Sequence, residues 1–264
     1  MKIGIIGVGM VGRAVLAGSQ SCTEICTYDK FHPDRTSNWD RAPLTDLCFV
    51  CVPTPTDENG QHLGAVVDAL LHLRGMSTEG YRGVVVLKST VLPGTTSWLQ
   101  EQFPDLRLVH NPEFLCEKTA AKDYAEQKTI LLSGRIEDIR IVRIYADLCL
   151  NVDRAHYSAV YGDTEWAKYI HNCILPVKLS FLNEIYDLIG NERCFNEAVE
   201  MATWFGNVGG RSMVPGPDGK RGWGGACFTK DTKALEMFAL QQGLKMDTLT
   251  GAISTNLRVR HNGK

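Results

Sequence analysis

Cys227 stands where a glycine-rich stretch passes into a predicted helix, with charged residues close behind it. The segment reads Gly224-Gly225-Ala226-Cys227-Phe228-Thr229-Lys230-Asp231. A thiol near a helix N-terminus and beside Lys230 is expected to have a lowered pKa, which favours a nucleophilic role. Asp231 lies four residues further along and therefore shares a helical face with Cys227. The alternative is a buried, inert cysteine, because free cysteines are common in protein cores.

A second pair of polar residues lies on another predicted helix. In the segment Asp163-Thr164-Glu165-Trp166-Ala167-Lys168-Tyr169-Ile170-His171-Asn172, Lys168 and Asn172 are one helical turn apart. Together they can donate hydrogen bonds to one developing oxyanion. An ordinary solvated helix face explains the same spacing.

Carboxylates and hydroxyls follow two predicted strands, at the edge where α/β folds bind ligands. Glu113 and Glu117 lie in Asn111-Pro112-Glu113-Phe114-Leu115-Cys116-Glu117, directly after one of these strands. Lys88-Ser89-Thr90 follows the other strand and precedes Pro93-Gly94-Thr95. Each segment is a candidate part of a ligand site, and each equally suits a capping or turn role.

A glycine motif near the start of the chain has the spacing of a dinucleotide-binding turn. Gly7-Val8-Gly9-Met10-Val11-Gly12 follows a predicted strand and opens a predicted helix, so the helix N-terminus can receive a pyrophosphate. Asp29 ends the next strand, where a carboxylate accepts hydrogen bonds from the adenosine ribose. This carboxylate favours NAD, whereas the adjacent Lys30 leaves NADP open. A glycine-rich turn without a ligand is the other interpretation.

The elements that position these residues alternate between strand and helix patterns. The first unit predicted is a strand from Lys2 to Gly7, a helix from Met10 to Gln20 and a strand from Glu24 to Tyr28. Further strands are predicted at Leu47 to Val52, Gly83 to Lys88, Leu106 to His110, Thr129 to Ser133 and Ala155 to Ala159. This alternation predicts an α/β fold with a Rossmann-like, doubly wound parallel sheet over residues 1–160.

From Gly162 onwards the sequence is predicted to be helical, with one long loop. Helices are predicted from Asp163 to Ile189, with a kink at Pro176, from Cys194 to Phe205, and from Thr229 to Gln242. The glycine-rich stretch from Gly206 to Gly225 is predicted to be loop. The polar residues after Asn256 are expected to be frayed. Residues 161–264 are therefore predicted to form a second, all-helical domain.

Composition excludes several classes of protein. The 264 residues are 44% hydrophobic and 22% charged, with a net charge of −2, which is typical of a folded globular protein. Without a basic excess, nucleic acid is not an expected partner. Nine scattered cysteines predict reduced thiols and a cytoplasmic location, and their spacing does not predict a metal site. No stretch is long and apolar enough to predict a membrane segment.

Taken together, the segments resemble the UDP-glucose/GDP-mannose dehydrogenase family over roughly residues 1–245. The motifs that carry the resemblance, in chain order, are the glycine motif, Val52-Pro53-Thr54-Pro55-Thr56, Lys88-Ser89-Thr90-Val91, Asn111-Pro112-Glu113-Phe114-Leu115, Lys168 with Asn172, Ser180-Phe181-Leu182-Asn183-Glu184, and Gly224 to Asp231. Several motifs in the same order are far more specific than any single one.

The resemblance implies oxidation of the primary alcohol of a nucleotide sugar to a uronic acid, by two NAD-dependent hydride transfers. It implies that Cys227 captures the aldehyde as a thiohemiacetal, which is then oxidised to a thioester and hydrolysed. By the same resemblance, Lys168 and Asn172 stabilise the oxyanion, Asp231 and Thr90 position a water, and Glu113 assists hydrolysis.

The resemblance also implies which residues contact the ligands. The cofactor contacts are Gly7, Gly9, Met10, Val11, Gly12, Asp29, Lys30, Val52, Pro53, Thr54, Ser89, Thr90, Glu117 and Lys230. The substrate contacts are Phe114, Leu115, Glu117, Lys168, Asn172, Arg211, Gly224 and Cys227.

One departure from the family pattern leaves other functions open. The family continues into a second α/β domain that helps hold the substrate nucleotide, and this sequence is expected to lack it. A non-catalytic NAD-binding partner protein is therefore an alternative. A one-step hydroxyacid dehydrogenase, which shares a Rossmann domain followed by a long helix but needs no thiol nucleophile, is another. The long helix from Asp163 has an apolar stripe, which predicts a homodimer built on it.

Overall fold

The computed structural model describes residues 1–76, 80–150, 152–206, 208 and 214–262. Its residues group into two compact units. The first comprises residues 1–57 and 61–168, and the second comprises residues 58–60 and 169–264. Each unit is described separately below.

The first unit contains a seven-stranded sheet, as the alternating pattern predicts. Its strands are β1 (Lys2–Ile6), β2 (Glu24–Tyr28), β3 (Leu47–Val50), β6 (Val84–Leu87), β7 (Arg107–His110), β8 (Thr129–Gly134) and β9 (Arg154–Ser158), and two short strands, β4 (Thr56–Asp57) and β5 (Gly60–Gln61), lie outside it. The order across the sheet is β2-β1-β3-β6-β7-β8-β9. The order reverses between β1 and β3, which is the switch point at which such sheets bind ligands.

The predicted doubly wound parallel sheet is confirmed, with one antiparallel junction. The neighbouring strands β2, β1, β3, β6 and β7 pair in parallel. Strand β8 runs antiparallel to β7 and pairs in parallel with β9. The segment between β7 and β8 contains only the six-residue helix α4 (Ala120–Ala125). Antiparallel neighbours need no full crossover helix, so this short connection is sufficient to reverse the strand direction.

Helices cover both faces of the sheet. They are α1 (Met10–Gly18), α2 (Gly64–Arg74), α3 (Thr95–Gln102), α4 and α5 (Ile136–Cys149). One buried cluster joins α1, α4 and α5 to the sheet through residues such as Val15, Tyr124 and Tyr145. A second cluster joins α2 and α3 to the other face through Leu70 and Leu99. Two apolar layers around a buried sheet account for its continuous runs of apolar residues.

The segment Pro93-Gly94-Thr95 has a capping role. Gly94 has φ +92° and is the N-cap of α3. The buried carboxylate of Glu165 accepts hydrogen bonds from the N–H of Gly94 at 2.6 Å and from the N–H and hydroxyl of Thr96 at 2.7 and 2.6 Å. These bonds satisfy donors that the first turn of a helix leaves without intrahelical partners.

Helices make up most of the second unit. The long helix α6 (Tyr161–Ile189) begins in the first unit, and α7 (Glu192–Thr203), α8 (Ala226–Gln241) and α9 (Asp247–Asn262) follow it. In the described part of the glycine-rich stretch there is no helix or strand, as predicted. Leu182, Phe195 and Val214 form a small core in this unit.

The expectation of a frayed tail after Asn256 is wrong, because α9 continues to Asn262. Its buried positions are Leu249, Ala252, Thr255, Asn256 and Val259, which recur at three- and four-residue steps. Two of these five are polar, so the helical period cannot be recognised from apolar residues alone. Their polar groups are hydrogen-bonded: Thr255 donates to Glu184 at 2.7 Å, and Asn256 accepts from the N–H of Trp223 at 2.7 Å.

Candidate functional site

The glycine motif forms a tight turn between β1 and α1. Gly7 has φ +85°, a conformation that side chains other than glycine rarely adopt. A Cβ on Gly12 would lie 2.0 Å from the carbonyl oxygen of Gly7, so only glycine allows this close approach. A Cβ on Gly9 would meet no atom within 4 Å, which leaves the backbone at the start of α1 open to a ligand.

Asp29 is fixed at the end of β2 by backbone donors. Its carboxylate accepts hydrogen bonds from the N–H groups of Val8 at 2.8 Å and of Phe31 and His32 at 3.0 Å each. Burial opposes its ionisation, but these three bonds hold the pKa of Asp29 below its usual value. Asp29 is therefore an anionic acceptor that also braces the glycine turn.

A cavity of about 740 Å³ lies at the carboxyl ends of β1, β2 and β3, at the switch point of the sheet. The predicted cofactor contacts that line it are Gly7, Gly9, Asp29, Lys30, Val52 and Pro53. Its volume is in the range of cofactor pockets. The open backbone at Gly9 and the anionic acceptor at Asp29 fit a dinucleotide. Lys30 forms an exposed ion pair with Asp68 at 3.0 Å.

Met10 and Glu117 line a second cavity of about 440 Å³, which lies beside the first turn of α1. Arg13, Lys118 and Lys122 also line it. Glu117, which is predicted as a cofactor and substrate contact, thus shares a cavity with Met10 of the glycine motif.

Thr54 and Ser89, which are predicted as cofactor contacts, both donate hydrogen bonds to backbone carbonyls. Thr54 donates to the carbonyl of Thr90 at 2.6 Å, and Ser89 donates to the carbonyl of Val52 at 2.7 Å. These bonds fasten the loop after β3 to the loop after β6. Neither residue lines the two cavities described above.

Glu113 and Lys168 form a buried ion pair in the first unit. The ammonium of Lys168 lies 3.1 Å from Oε1 of Glu113, and it also donates to the main-chain carbonyl of Glu113. The other carboxylate oxygen accepts from the N–H of Leu115 at 2.7 Å. The ring of the half-exposed Phe114 lies 5.0 Å from the same ammonium. Sequence reasoning treated Glu113 and Lys168 as separate candidates, whereas the structure makes them partners.

A buried lysine beside this pair is a residue whose position sequence reasoning missed. Lys88 is 2% exposed, and its ammonium donates to Oδ1 of Asn111 at 2.9 Å. Burial lowers the pKa of Lys88 to about 8. Asn111, which lies two residues before Glu113, also donates to the carbonyl of Leu131 in β8 at 2.8 Å. Asn111 therefore links the ammonium of Lys88 to the sheet. The sequence placed Lys88 in a candidate ligand segment but could not reveal its partner Asn111, which lies 23 residues away.

In the second unit, Asn172 and Asp231 are joined by a hydrogen bond. The amide of Asn172 donates to Oδ2 of Asp231 at 2.7 Å. The ammonium of Lys230 lies 2.5 Å from the other oxygen, Oδ1, of Asp231. Asp231 is 1% exposed, so its carboxylate is buried with both oxygens engaged. The solvated-face interpretation of Asn172 is wrong, because its side chain is also buried.

Cys227 lies in the first turn of α8, one turn before Asp231, and is exposed. Gly225, which caps this helix, has φ +86°. The alternative of a buried, inert cysteine is therefore wrong. An exposed thiol at a helix N-terminus has the placement of a nucleophile.

The loop that leads to Cys227 is held by side chains of α6 and α9. The buried indole of Trp223 donates to Ser180 of α6 at 2.9 Å, and its carbonyl accepts from Arg260 of α9 at 2.6 Å. The N–H of Gly222 donates to Asn183 at 3.0 Å. A Cβ on Gly224, a predicted substrate contact, would lie 2.2 Å from the guanidinium of Arg260.

Arg211 lies outside the described residues. Within the described chain, no three His, Cys, Asp or Glu side chains are grouped so that they could hold a metal ion. In the same residues, every helix is too short or too polar to cross a bilayer.

Two regions of the chain match the models of one protein family. Residues 30–148 match the UDP-glucose/GDP-mannose dehydrogenase family, NAD binding domain, and residues 163–258 match the central domain of the same family. The predicted resemblance is thereby confirmed, and the matched domain supports NAD as the cofactor.

Relatives and solved structures point in the same direction. UDP-glucose 6-dehydrogenase AglM of Haloferax volcanii is 30% identical over 84% of this chain and 54% of the relative, and a UDP-glucose 6-dehydrogenase of Rhizobium meliloti is 31% identical over 83% and 51%. The chain thus spans about half the length of these curated relatives. The structure of a UDP-glucose dehydrogenase from Pyrobaculum islandicum has a TM-score of 0.80 at 23% identity, covering 97% of this chain and 68% of that one. This likeness confirms the α/β fold with its helical segment.

Proposed function

Because the chain belongs to the UDP-glucose/GDP-mannose dehydrogenase family, we propose that it oxidises the primary alcohol of a nucleotide sugar, similar to UDP-glucose, to a uronic acid. The observation that carries the proposal is the exposed thiol of Cys227, one helical turn from a buried Asp231 whose carboxylate is held by Asn172. A one-step alcohol oxidation requires no such thiol.

When bound, NAD accepts the hydride in each oxidation. The side chains of this chain bind the reacting carbon covalently, stabilise charge and position water. In the proposed reaction, the Cys227 sulfur adds to the aldehyde carbon. The former carbonyl oxygen becomes an oxyanion and then takes up a proton. After the second oxidation, water adds to the thioester carbon and the C–S bond breaks, which releases the carboxylate and regenerates the thiol. The aldehyde is thus never released.

The buried polar residues are proposed to stabilise charge and direct water in this sequence. Lys168 and Asn172 stabilise the oxyanion, since each carries a buried donor. Asp231, together with Thr90, positions the water, and Glu113 assists hydrolysis of the thioester. The fixed geometry of Glu113, held by Lys168 and the N–H of Leu115, supports a role as a preorganised base.

The substrate is proposed to contact Phe114, Leu115, Glu117, Arg211 and Gly224 in addition to the residues that act on its reacting carbon. Residues 1–160 would then bind NAD, and residues 161–264 would carry the catalytic cysteine. A homodimer through α6 is proposed as well. Ile170, Ile174 and Phe181 on this helix are 64%, 59% and 59% exposed, and such an apolar surface is typical of an interface.

The stoichiometry of NADH tests the proposal. The protein is mixed with excess NAD and a limiting amount of UDP-glucose, and the NADH formed per sugar is counted, with GDP-mannose and free sugars as further substrates. Two NADH per sugar is the expected result. One NADH per substrate, retained in Cys227→Ser, would support a one-step dehydrogenase. NAD binding without turnover of any substrate would support a non-catalytic partner protein.

A further inference from the structure

Two cysteines of the first unit lie in contact although they are 127 residues apart in sequence. Cys22 is in the turn between α1 and β2, and Cys149 is the last residue of α5. Their sulfur atoms are 3.5 Å apart, and both residues are only partly buried. Small reagents can therefore reach the pair, and only a small movement separates the two sulfurs from bonding distance.

Neighbouring contacts hold both cysteines in this arrangement. The N–H of Cys22 donates to the carbonyl of Ser19 at 2.9 Å, which fixes the turn. The hydroxyls of Ser19 and Tyr145 are 2.6 Å apart and buried, and Tyr145 lies one helical turn before Cys149. The turn and the end of α5 are thus joined by a buried hydrogen bond next to the thiols, which limits the freedom of the sulfurs to move apart.

From this geometry we infer that Cys22 and Cys149 are a modification site, at which a hydroperoxide produces a reversible disulfide. One thiolate attacks an oxygen of the peroxide, the O–O bond breaks, and a sulfenic acid and hydroxide are formed. The second thiol then attacks the sulfenic sulfur, the S–S bond forms, and water leaves. In total, two thiols and one hydrogen peroxide yield one disulfide and two waters, so the thiols are oxidised and the peroxide is reduced.

The surroundings of Cys22 and Cys149 set the rate at which the peroxide oxidises them. Burial, followed by the contact with Cys149, raises the pKa of Cys22 to about 12, and burial also raises the pKa of Cys149. The α-ammonium of Met1 opposes these shifts, while Asp46 adds to that of Cys22. Because the thiolate is the attacking species and little of it is present at neutral pH, the peroxide oxidises the pair slowly there and faster as pH rises.

A bond between these residues closes a loop that contains five of the seven strands of the sheet. Cross-linking such distant residues reduces the entropy of the unfolded chain, so the oxidised first unit is expected to be more stable. The effect is separate from the proposed enzyme activity, because neither thiol lies in either cavity described above.

Treatment of the full chain with hydrogen peroxide tests the inference. Peptide mapping without reductant is expected to identify a Cys22–Cys149 cross-link, with a loss of about 2 Da that dithiothreitol reverses. The melting temperature is expected to rise by roughly 5 °C on cross-linking. Cys149→Ser is expected to lose both effects, whereas Cys194→Ser, at an exposed position on α7, keeps them.

Two results would overturn the inference. In the first, Cys22 and Cys149 are recovered as separate thiols or as sulfinic acids, with no peptide joining them. In the second, the cross-link forms equally in the presence of a denaturant, which would mean that the fold does not create the pair. The maps are read on the wild-type protein, so neither result depends on the folding of a variant.

Discussion

The side-chain amide of Asn172 donates a 2.7 Å hydrogen bond to the carboxylate of Asp231, and both groups are buried. Asn172 is on α6 and Asp231 is on α8, so this bond ties the long helix to the helix that carries Cys227 in its first turn. The ammonium of Lys230 engages the remaining oxygen of Asp231 at 2.5 Å. The carboxylate is therefore oriented by two donors, which is the condition for precise placement of a water or a proton.

Asp231→Asn tests the role of this carboxylate. The substitution keeps the shape of the side chain but removes its charge, so we expect kcat to fall by about 10²-fold or more while the protein stays folded. NADH production at saturating NAD and sugar provides the measurement. Asp247→Asn, at the exposed first residue of α9, is the matched control and should keep full activity. Equal rates for the two variants would contradict a catalytic role for Asp231.

Cys227→Ser removes the thiol but retains a small polar side chain. We expect the production of two NADH per sugar to be lost, because a serine hydroxyl is a much weaker nucleophile. Cys227 and Cys194 both lie in the first turn of a helix, but the first turn of α7 contains the acidic Glu192, whereas that of α8 contains no acidic residue. Iodoacetamide should therefore modify Cys227 faster than Cys194. Both rates can be followed by mass spectrometry of peptides. Faster labelling of Cys194, which is also exposed, would argue against an activated Cys227.

Lys168→Met tests the buried ion pair. It leaves the carboxylate of Glu113 buried without its ammonium partner, and we expect a loss of about 3 kcal/mol in the free energy of unfolding. Urea denaturation measures this change. The double variant with Glu113→Gln should recover much of the loss, because no unpaired charge remains. Additive effects of the two substitutions would show that the pair is not coupled.

The buried Lys88 predicts a dependence of stability on pH. Its pKa is lowered to about 8 in the folded protein, from 10.5 in an unfolded chain. Below pH 8 Lys88 is protonated in both the folded and the unfolded protein, so the full free-energy cost of burying its ammonium reduces the stability of the fold. As pH rises, the folded state releases its proton first, so the cost declines.

Between pH 7 and pH 10, wild-type stability should therefore increase by roughly 2 kcal/mol relative to Lys88→Met, which carries no such group. Unfolding free energies measured by denaturant at the two pH values give the difference directly. A constant difference between the two proteins would mean that Lys88 titrates normally.

Asn256→Ala tests the attachment of the glycine-rich loop to α9. The N–H of Trp223 loses its buried acceptor, and we expect destabilisation by about 1–3 kcal/mol together with reduced activity. Asn256→Asp keeps the acceptor oxygen and is the control. Thermal unfolding and NADH production are measured for both. Wild-type values for Asn256→Ala would show that the loop does not depend on this bond.

Much of the first unit could be predicted from local patterns, because its strands are apolar and its turns have distinctive residues. The glycine motif predicted the turn at Gly7, and Asp29 was predicted to end β2, where it lies. These features depend on residues close together in sequence. The antiparallel direction of β8 could not be predicted, since the pattern of a buried strand does not encode its direction.

Partnerships between distant residues could not be predicted either. The ion pair of Glu113 with Lys168 joins residues 55 positions apart, and the bond from Trp223 to Asn256 joins residues 33 apart. In α9, the polar residues that make such bonds also concealed the helix itself. A buried polar residue resembles a surface residue in sequence, and only its partner reveals the difference.

The attachment of the Cys227 loop to α9 has a consequence for biosynthesis. Asn256 and Arg260, which hold the loop before Cys227, follow Cys227 in the chain. During translation, Cys227 is therefore synthesised before the residues that fix this loop. The sheet of the first unit is already complete at that stage and can fold first. The order of translation therefore leaves assembly of the thiol-bearing loop until after the strands and the glycine turn have been made.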